Sequence, residues 1–92
     1  MSDGKLNTEL GRAAEAQAVL NNAIFQEAFE ILRSSYTDAW LNSPARDEQG
    51  REKIYQFMTA LKAVEDHLVS VVQTGELAKT QLEDLRTRKR LI

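Results

Sequence analysis

The chain contains no cysteine, one histidine and one proline. The first two of these counts exclude common ways of stabilising a small domain. Without cysteine, neither a disulfide nor a thiolate–metal site can stabilise so small a domain. The single histidine, His67, disfavours an all-protein zinc site. We therefore expect no metal or other cofactor, and we expect stability to come from helix packing or oligomerisation.

The chain also lacks a dominant sign of charge and any long apolar run. Its formal net charge is −2 with 28% charged residues, which predicts no general attraction to nucleic acid or to an anionic membrane. The apolar runs are far shorter than the ~20 residues that span a bilayer, and residues 1–10 lack the apolar core of a signal peptide. These features predict a soluble protein that stays in the compartment where it is made.

With only four glycines, the composition leans to helix formers, and no segment alternates apolar and polar residues as a strand does. The sequence therefore predicts one all-α domain. Thr8 and Asp47 are candidate helix caps, and either Asn21 or Asn22 could end one helix or cap the next. The predicted segments are a frayed start (1–7), a short helix (8–20), a second helix (22–42), a loop (43–50), a third helix (51–73, with continuation to 88 as the alternative) and a basic tail (86–92).

Two of the predicted helices carry apolar residues at alternating steps of three and four, which is the spacing of a heptad repeat. A period of 3.5 residues favours near-antiparallel packing. We therefore predict an antiparallel hairpin of two long helices, with the short, alanine-rich first helix docked beside it. The predicted seam between the two helices consists of Phe25, Phe29, Leu32, Tyr36 and Ala39 on one side and Ile54, Phe57, Leu61, Val64, Leu68 and Val71 on the other.

Gly75 is the ambiguous position of the third helix. A glycine can end a helix by adopting a left-handed conformation just after its last residue. It can also allow a second helix to approach closely within a longer helix. We favour a break or kink at Gly75 over close packing.

More apolar residues lie beside the seam than a two-helix hairpin can bury, and burial of a large apolar side chain is worth about 1.5–3 kcal/mol. We therefore predict a homo-oligomer, with a monomeric three-helix bundle as the alternative, since scattered exposed apolar residues are normal. Tyr36 and Trp40 belong first to the core of the hairpin. The candidate interface residues are Tyr36, Trp40, Tyr55, Met58, Val69 and Val72.

No arrangement of residues suits catalysis. Glu65, Asp66 and His67 form the one acidic–histidine cluster, but they lack the Glu-x-x-His spacing of a di-iron site. The serines have no histidine–acid partners, and the isolated glycines form no phosphate-binding loop. The sequence predicts that the protein is not an enzyme and has no catalytic residue.

Basic residues are most concentrated near the C-terminus, after the acidic Glu83 and Asp84. Cations in this position stabilise the helix dipole, and this is the interpretation we favour. Contact with a protein partner or with the phosphates of a nucleic acid is the alternative. The residues concerned are Arg86, Arg88, Lys89 and Arg90.

Four segments, "GRAAEA", "QEAF", "REK" and "TGELA", occur in this order along the chain. With the spacing between them, over about residues 11–85, the sequence resembles a family of small helical proteins, without assigned biochemistry, from tailed bacteriophages and prophages. The genes of that family lie near packaging and head genes. The resemblance implies a phage origin and a location in the cytoplasm of the infected bacterium or in the virion.

Two functions follow as expectations. The first is an oligomerising assembly factor or DNA-packaging accessory factor, by analogy with small terminase subunits or with proteins of head morphogenesis. Its partners would be further copies and phage packaging or head proteins. The second is a binding module that sequesters or inhibits a host protein.

Overall fold

The computed structural model describes the backbone of residues 3–91 and the side chains of residues 3–88. It contains three helices, α1 (Asp3–Leu20), α2 (Ala23–Asn42) and α3 (Glu48–Leu91), and no strand in this described part. The prediction of an all-α fold is confirmed. Backbone contacts divide the chain into two units. The α1 unit joins α1 to the part of α3 from His67 onward, and the α2 unit joins α2 to the part of α3 up to Asp66.

Side-chain caps determine where α2 and α3 begin. Asn22 has extended backbone angles, and its side-chain oxygen accepts a hydrogen bond from the backbone N–H of Phe25 at 2.9 Å. Asp47 accepts in the same way from the N–H of Gly50 at 3.1 Å. Each cap partners one of the donors that a helix N-terminus leaves unpaired. Because Asp47 is the cap, α3 begins at Glu48 instead of at the predicted residue 51.

The end of α2 follows from Ser43 and Pro44. A residue before proline is driven out of the helical region, and Ser43 has φ −74° and ψ 138°. Its N–H and its hydroxyl both donate to the carbonyl oxygen of Trp40, at 3.2 and 2.6 Å. These two bonds close the last turn of α2.

The α1 unit contains the buried apolar cluster of the described chain. Leu6 is 1% exposed, and it packs with Ala78 and Leu82 of α3. Leu10 and Leu85 lie against this cluster and are partly buried.

The prediction of a frayed start is wrong for residues 3–7, while Met1 and Ser2 lie outside the described residues. The helix extends back to Asp3 because Leu6 anchors its first turns in the apolar cluster. Thr8 is therefore inside α1 and does not cap it. Its hydroxyl donates to the carbonyl oxygen of Gly4 at 3.0 Å.

The favoured break at Gly75 is also wrong, because α3 is helical through this position and reaches Leu91. Gly75 is buried and is a site of close packing. A Cβ atom placed there would overlap the Cβ of Ala13 and lie 3.2 Å from the carbonyl oxygen of Glu9. Close contact with α1 thus gives a physical reason for a glycine in mid-helix, where it costs about 1 kcal/mol relative to alanine.

Candidate interaction surface

The α2 unit has little buried surface despite its large apolar side chains. None of the twenty residues of α2, all of which the structure describes, is buried. In the facing part of α3, Phe57 is 54% exposed and Val64 is 52% exposed. The expectation that the predicted seam is dry throughout is therefore wrong for the single chain.

The side of α3 that faces α2 is shifted by one residue from the prediction. The half-buried positions include Ile54, Met58, Leu61 and Glu65, whereas the prediction placed Phe57 and Val64 on this line. Ile54 and Leu61 belong to both lines. Because successive helical residues are about 100° apart, the change leaves Phe57 and Val64 at one edge of the contact.

Polar contacts at two places account for the shift. The guanidinium of Arg51 lies over the ring of Trp40, 4.2 Å from its centre. Nearer the other end of α2, Arg33 Nη2 donates to Glu65 Oε2 at 2.7 Å. Both contacts require the α3 residue, Arg51 or Glu65, to point toward α2. In each case this residue lies one position after a position that the apolar heptad pattern predicts to face α2. Apolar spacing alone does not reveal this.

Aromatic contacts hold the middle of the α2 unit. The rings of Tyr36 and Phe57 stack with their centres 5.7 Å apart and their planes at 22°. Within α2, the rings of Phe25 and Phe29 are tilted against each other at 4.4 Å. The contacts of Arg33, Tyr36 and the Trp40 ring follow one another in reverse order along α3, as antiparallel helices require.

One side of the α2 unit, here called the charged flank, is a groove of about 480 Å³ lined by both apolar and charged side chains. Besides the Arg33–Glu65 pair, it contains Lys62, whose Nζ lies 3.1 Å from a carboxylate oxygen of Asp66. These ion pairs are solvent-exposed, and such pairs contribute only about 0–1 kcal/mol each. The residues lining the groove are Arg33, Tyr55, Met58, Thr59, Leu61, Lys62 and Glu65.

Four of the six predicted interface residues are half-buried and two are exposed. Tyr36 and Trp40 are half-buried by contacts within the α2 unit, while Tyr55 and Val69 are exposed. The other two, Met58 and Val72, are half-buried. Their role in an interface stays a prediction. The apolar pattern of the sequence did not indicate that Phe57 and Val64 are exposed. The only sequence signal for their exposure was that Arg51 and Glu65, at the positions that face α2, are charged.

The predicted basic tail is the last part of α3. Arg86 and Arg88 are exposed, and the side chains of Lys89 and Arg90 lie outside the described residues. Arg86 lines a shallow groove of about 270 Å³ together with Leu10, Lys79, Leu82 and Glu83. Glu83 keeps the basic groups here from forming a purely positive surface. Contact with nucleic acid stays a prediction.

No group of three or more histidine, cysteine or acidic side chains in the described residues is arranged to hold a metal ion. In the same part of the chain, no helix combines the length and the apolar character needed to cross a bilayer.

Comparison of the chain with protein-family models, curated proteins and solved structures finds no match. The resemblance to proteins of tailed phages therefore stays a prediction. The functional proposal depends mainly on the geometry of the helices.

Proposed function

We propose that this protein is a non-enzymatic, self-associating helical subunit that serves as an assembly or DNA-packaging accessory factor of a tailed phage. Its oligomerising element is the antiparallel pair formed by α2 and the part of α3 up to Asp66. The α1 unit supplies the core that keeps each chain folded. Partners other than further copies are phage packaging or head proteins.

The observation that carries the proposal is the contrast in burial between the two units. The α1 unit buries Leu6 and Leu82 within one chain, whereas α2 has no buried residue along its described length. Burial of apolar surface contributes about 25 cal/mol per Å² to stability, and surface that stays exposed to water does not contribute it. Association that covers the α2 unit recovers part of this free energy, and contiguous exposed apolar patches mark interaction sites.

The acidic cluster supports a non-enzymatic role. Glu65 is engaged by Arg33 and Asp66 by Lys62, so both carboxylates act in exposed ion pairs. His67 is exposed beside them. A general acid or base works in a site that excludes water, and these groups lie on an open helix surface.

The phage role comes from the resemblance of residues 11–85, and it is tested separately from self-association. Affinity capture of the tagged full chain from infected cells is expected to recover portal, capsid or terminase proteins. Recovery of a host defence factor in their place would contradict the assembly role. Sedimentation of the purified chain is expected to show a closed multimer, and a monomer at all concentrations would contradict self-association.

A second candidate function is the binding of a host protein, and one feature favours it. Ile24 and Ile31 are 71% and 56% exposed, and their spacing of seven residues places them on one face of α2. Phe29 and Tyr36, which are half-buried, occupy a different face. Recovery of one host protein at a fixed ratio, lost with Ile31→Lys, would support this function over assembly.

A further inference from the structure

One face of α2 combines exposed aliphatic side chains with acidic ones. Ile24, Glu27, Ile31 and Asp38 follow one another at steps of three, four and seven residues, which places them on one side of the helix. All four are exposed, Ile24 at 71% and Ile31 at 56%. We call this side the acidic face of α2.

The acidic face points away from α3. Asp38 lies two residues after Tyr36, whose ring stacks on α3, and two residues correspond to a rotation of about 200°. Ile31 has the same spacing from the half-buried Phe29. The body of α2, about 10 Å across, therefore separates this face from the cations of the facing part of α3, which include the exposed Lys53. Salt at physiological concentration screens charges over about 8 Å.

The one cation of α2, Arg33, does not lie on the acidic face. It is two residues after Ile31 and bonds Glu65 of α3. Neither Glu27 nor Asp38 belongs to an ion pair among the described side chains. The acidic face thus presents two carboxylates beside two exposed isoleucines, and a surface that complements it carries cations next to apolar groups.

The basic tail, residues 86–92, has this complementary composition. It contains four cations, no acidic residue and two aliphatic residues, Leu91 and Ile92. Arg86 and Arg88 are exposed on the last part of α3. The two acidic residues that precede the tail offset half of its charge, which leaves an excess of positive charge at this end of α3.

We propose that self-association is head-to-tail, with the basic tail of one copy bound to the acidic face of α2 in a second copy. This inference rests on the proposed self-association and names the two surfaces that perform it. Arg88 and its neighbours pair with Glu27 and Asp38, and the aliphatic residues of the tail cover the two isoleucines. Because the two surfaces differ, contacts of this kind repeat from copy to copy and close into a ring when the rotation allows it. Such a ring is the closed multimer expected above.

Charge complementarity selects the tail of a second copy as the occupant. If the acidic face met itself across a two-fold axis, Glu27 and Asp38 would approach the same carboxylates of the partner copy. Like charges placed opposite each other disfavour such contact. The basic tail is the most concentrated positive charge in the chain, so each copy supplies both the acidic surface and its complement.

A mixing experiment tests the two different surfaces directly. Ile31→Lys damages the acidic face and leaves the tail intact, whereas Arg88→Glu damages the tail and leaves the face intact. Each variant alone is expected to lose the multimer, with a dissociation constant raised at least tenfold in sedimentation velocity. An equimolar mixture is expected to form a dimer with one chain of each variant, because one intact face then meets one intact tail.

Two exposed positions outside the proposed contact provide matched controls. Thr37→Lys places the same cation on α2, about 120° around the helix from Ile31. Arg12→Glu reverses the charge of an exposed cation on α1. Both controls are expected to change the dissociation constant less than threefold. Circular dichroism checks that all four variants keep the helical content of the wild-type chain, since none of them replaces a buried side chain.

The outcomes separate this inference from the proposed function. If the wild-type chain associates but neither Ile31→Lys nor Arg88→Glu weakens the association, the inference is wrong while self-association stands. The same conclusion follows if both variants are monomeric and their mixture stays monomeric. If the wild-type chain is monomeric at every concentration, self-association and this inference both fail.

Salt dependence of the wild-type chain tests the inference without any variant. Salt screens the attraction between cations and carboxylates. The dissociation constant of the wild-type multimer is therefore expected to rise at least tenfold between about 0.05 M and about 0.5 M sodium chloride. A dissociation constant that stays the same or falls would overturn head-to-tail contact through these charges.

Discussion

The α1 unit buries leucine and alanine side chains and brings its helices close together at Gly75, whereas the α2 unit packs aromatic side chains and leaves them largely exposed. In the α1 unit, Gly75 lies directly against Ala13, and the buried residues are leucines and alanines. In the α2 unit, Phe57 is more than half exposed even though it stacks on Tyr36. Large side chains between two helices hold the backbones apart and project beyond the contact on both sides.

The difference shows that apolar content and burial are separate properties. Two helices with small residues at their contact can exclude water because the backbones themselves cover much of the surface. Two helices with aromatic residues need further helices to cover the flanks, as in a four-helix bundle. The α1 unit therefore buries an apolar cluster within one chain, and we propose that the α2 unit buries its apolar residues against a partner.

The largest effect is expected from truncation in the α1 unit. Leu82→Ala removes a buried side chain from the cluster with Leu6, and it should lower the free energy of unfolding by about 2–5 kcal/mol. Leu77→Ala, at an exposed position of the same unit, is the control and should cost much less. Chemical denaturation at fixed protein concentration measures both. Equal costs would mean that Leu82 is not in a buried cluster, and the contrast in burial between the α1 unit and the α2 unit would then be lost.

The next effect concerns the close approach at Gly75. Gly75→Ala should be destabilising by about 1–3 kcal/mol, because its Cβ overlaps that of Ala13 and the helices must separate. Gly11→Ala is the control, since no heavy atom outside its own helical surroundings lies within 4 Å of the added Cβ. It should be stabilising by up to ~1 kcal/mol. Thermal melting of both variants gives the sign directly, and stabilisation by Gly75→Ala would contradict close packing.

A smaller effect is expected from the cation–π contact in the α2 unit. A double-mutant cycle with Trp40→Leu and Arg51→Gln should give a coupling free energy of about 0.5–1 kcal/mol. The contact helps to turn Arg51 toward α2. Zero coupling would mean that this contact does not determine which residues of α3 face α2.

The smallest effect is expected from the ion pair on the charged flank. A cycle with Arg33→Gln and Glu65→Gln should give a coupling below about 1 kcal/mol, because both side chains are substantially exposed. The coupling should fall further in 1 M salt, where screening acts over about 3 Å. A large, salt-independent coupling would indicate that this flank is buried against another chain.

The sequence was sufficient to predict the helical class, the cap Asp47 and the break before Pro44, because these depend on local backbone chemistry, but it left open whether Asn21 or Asn22 caps α2. The start of α1 and the role of Gly75 depend on the contact between two segments that are distant in the sequence. No local sequence signal indicates either of them. The facing side of α3 was predicted one residue away because the apolar period ignores the polar anchors Arg51 and Glu65.

Hydrogen exchange measured at several protein concentrations tests most directly whether the α2 unit is completed by a second copy. Binding to the folded state raises protection by mass action, and it does so most in the element that becomes covered. The account predicts that the amides of α2 exchange rapidly in dilute protein and become at least tenfold more protected through the dimer range, while those around Leu6 change little. Protection of α2 that is independent of concentration, and equal to that of α1, would contradict it.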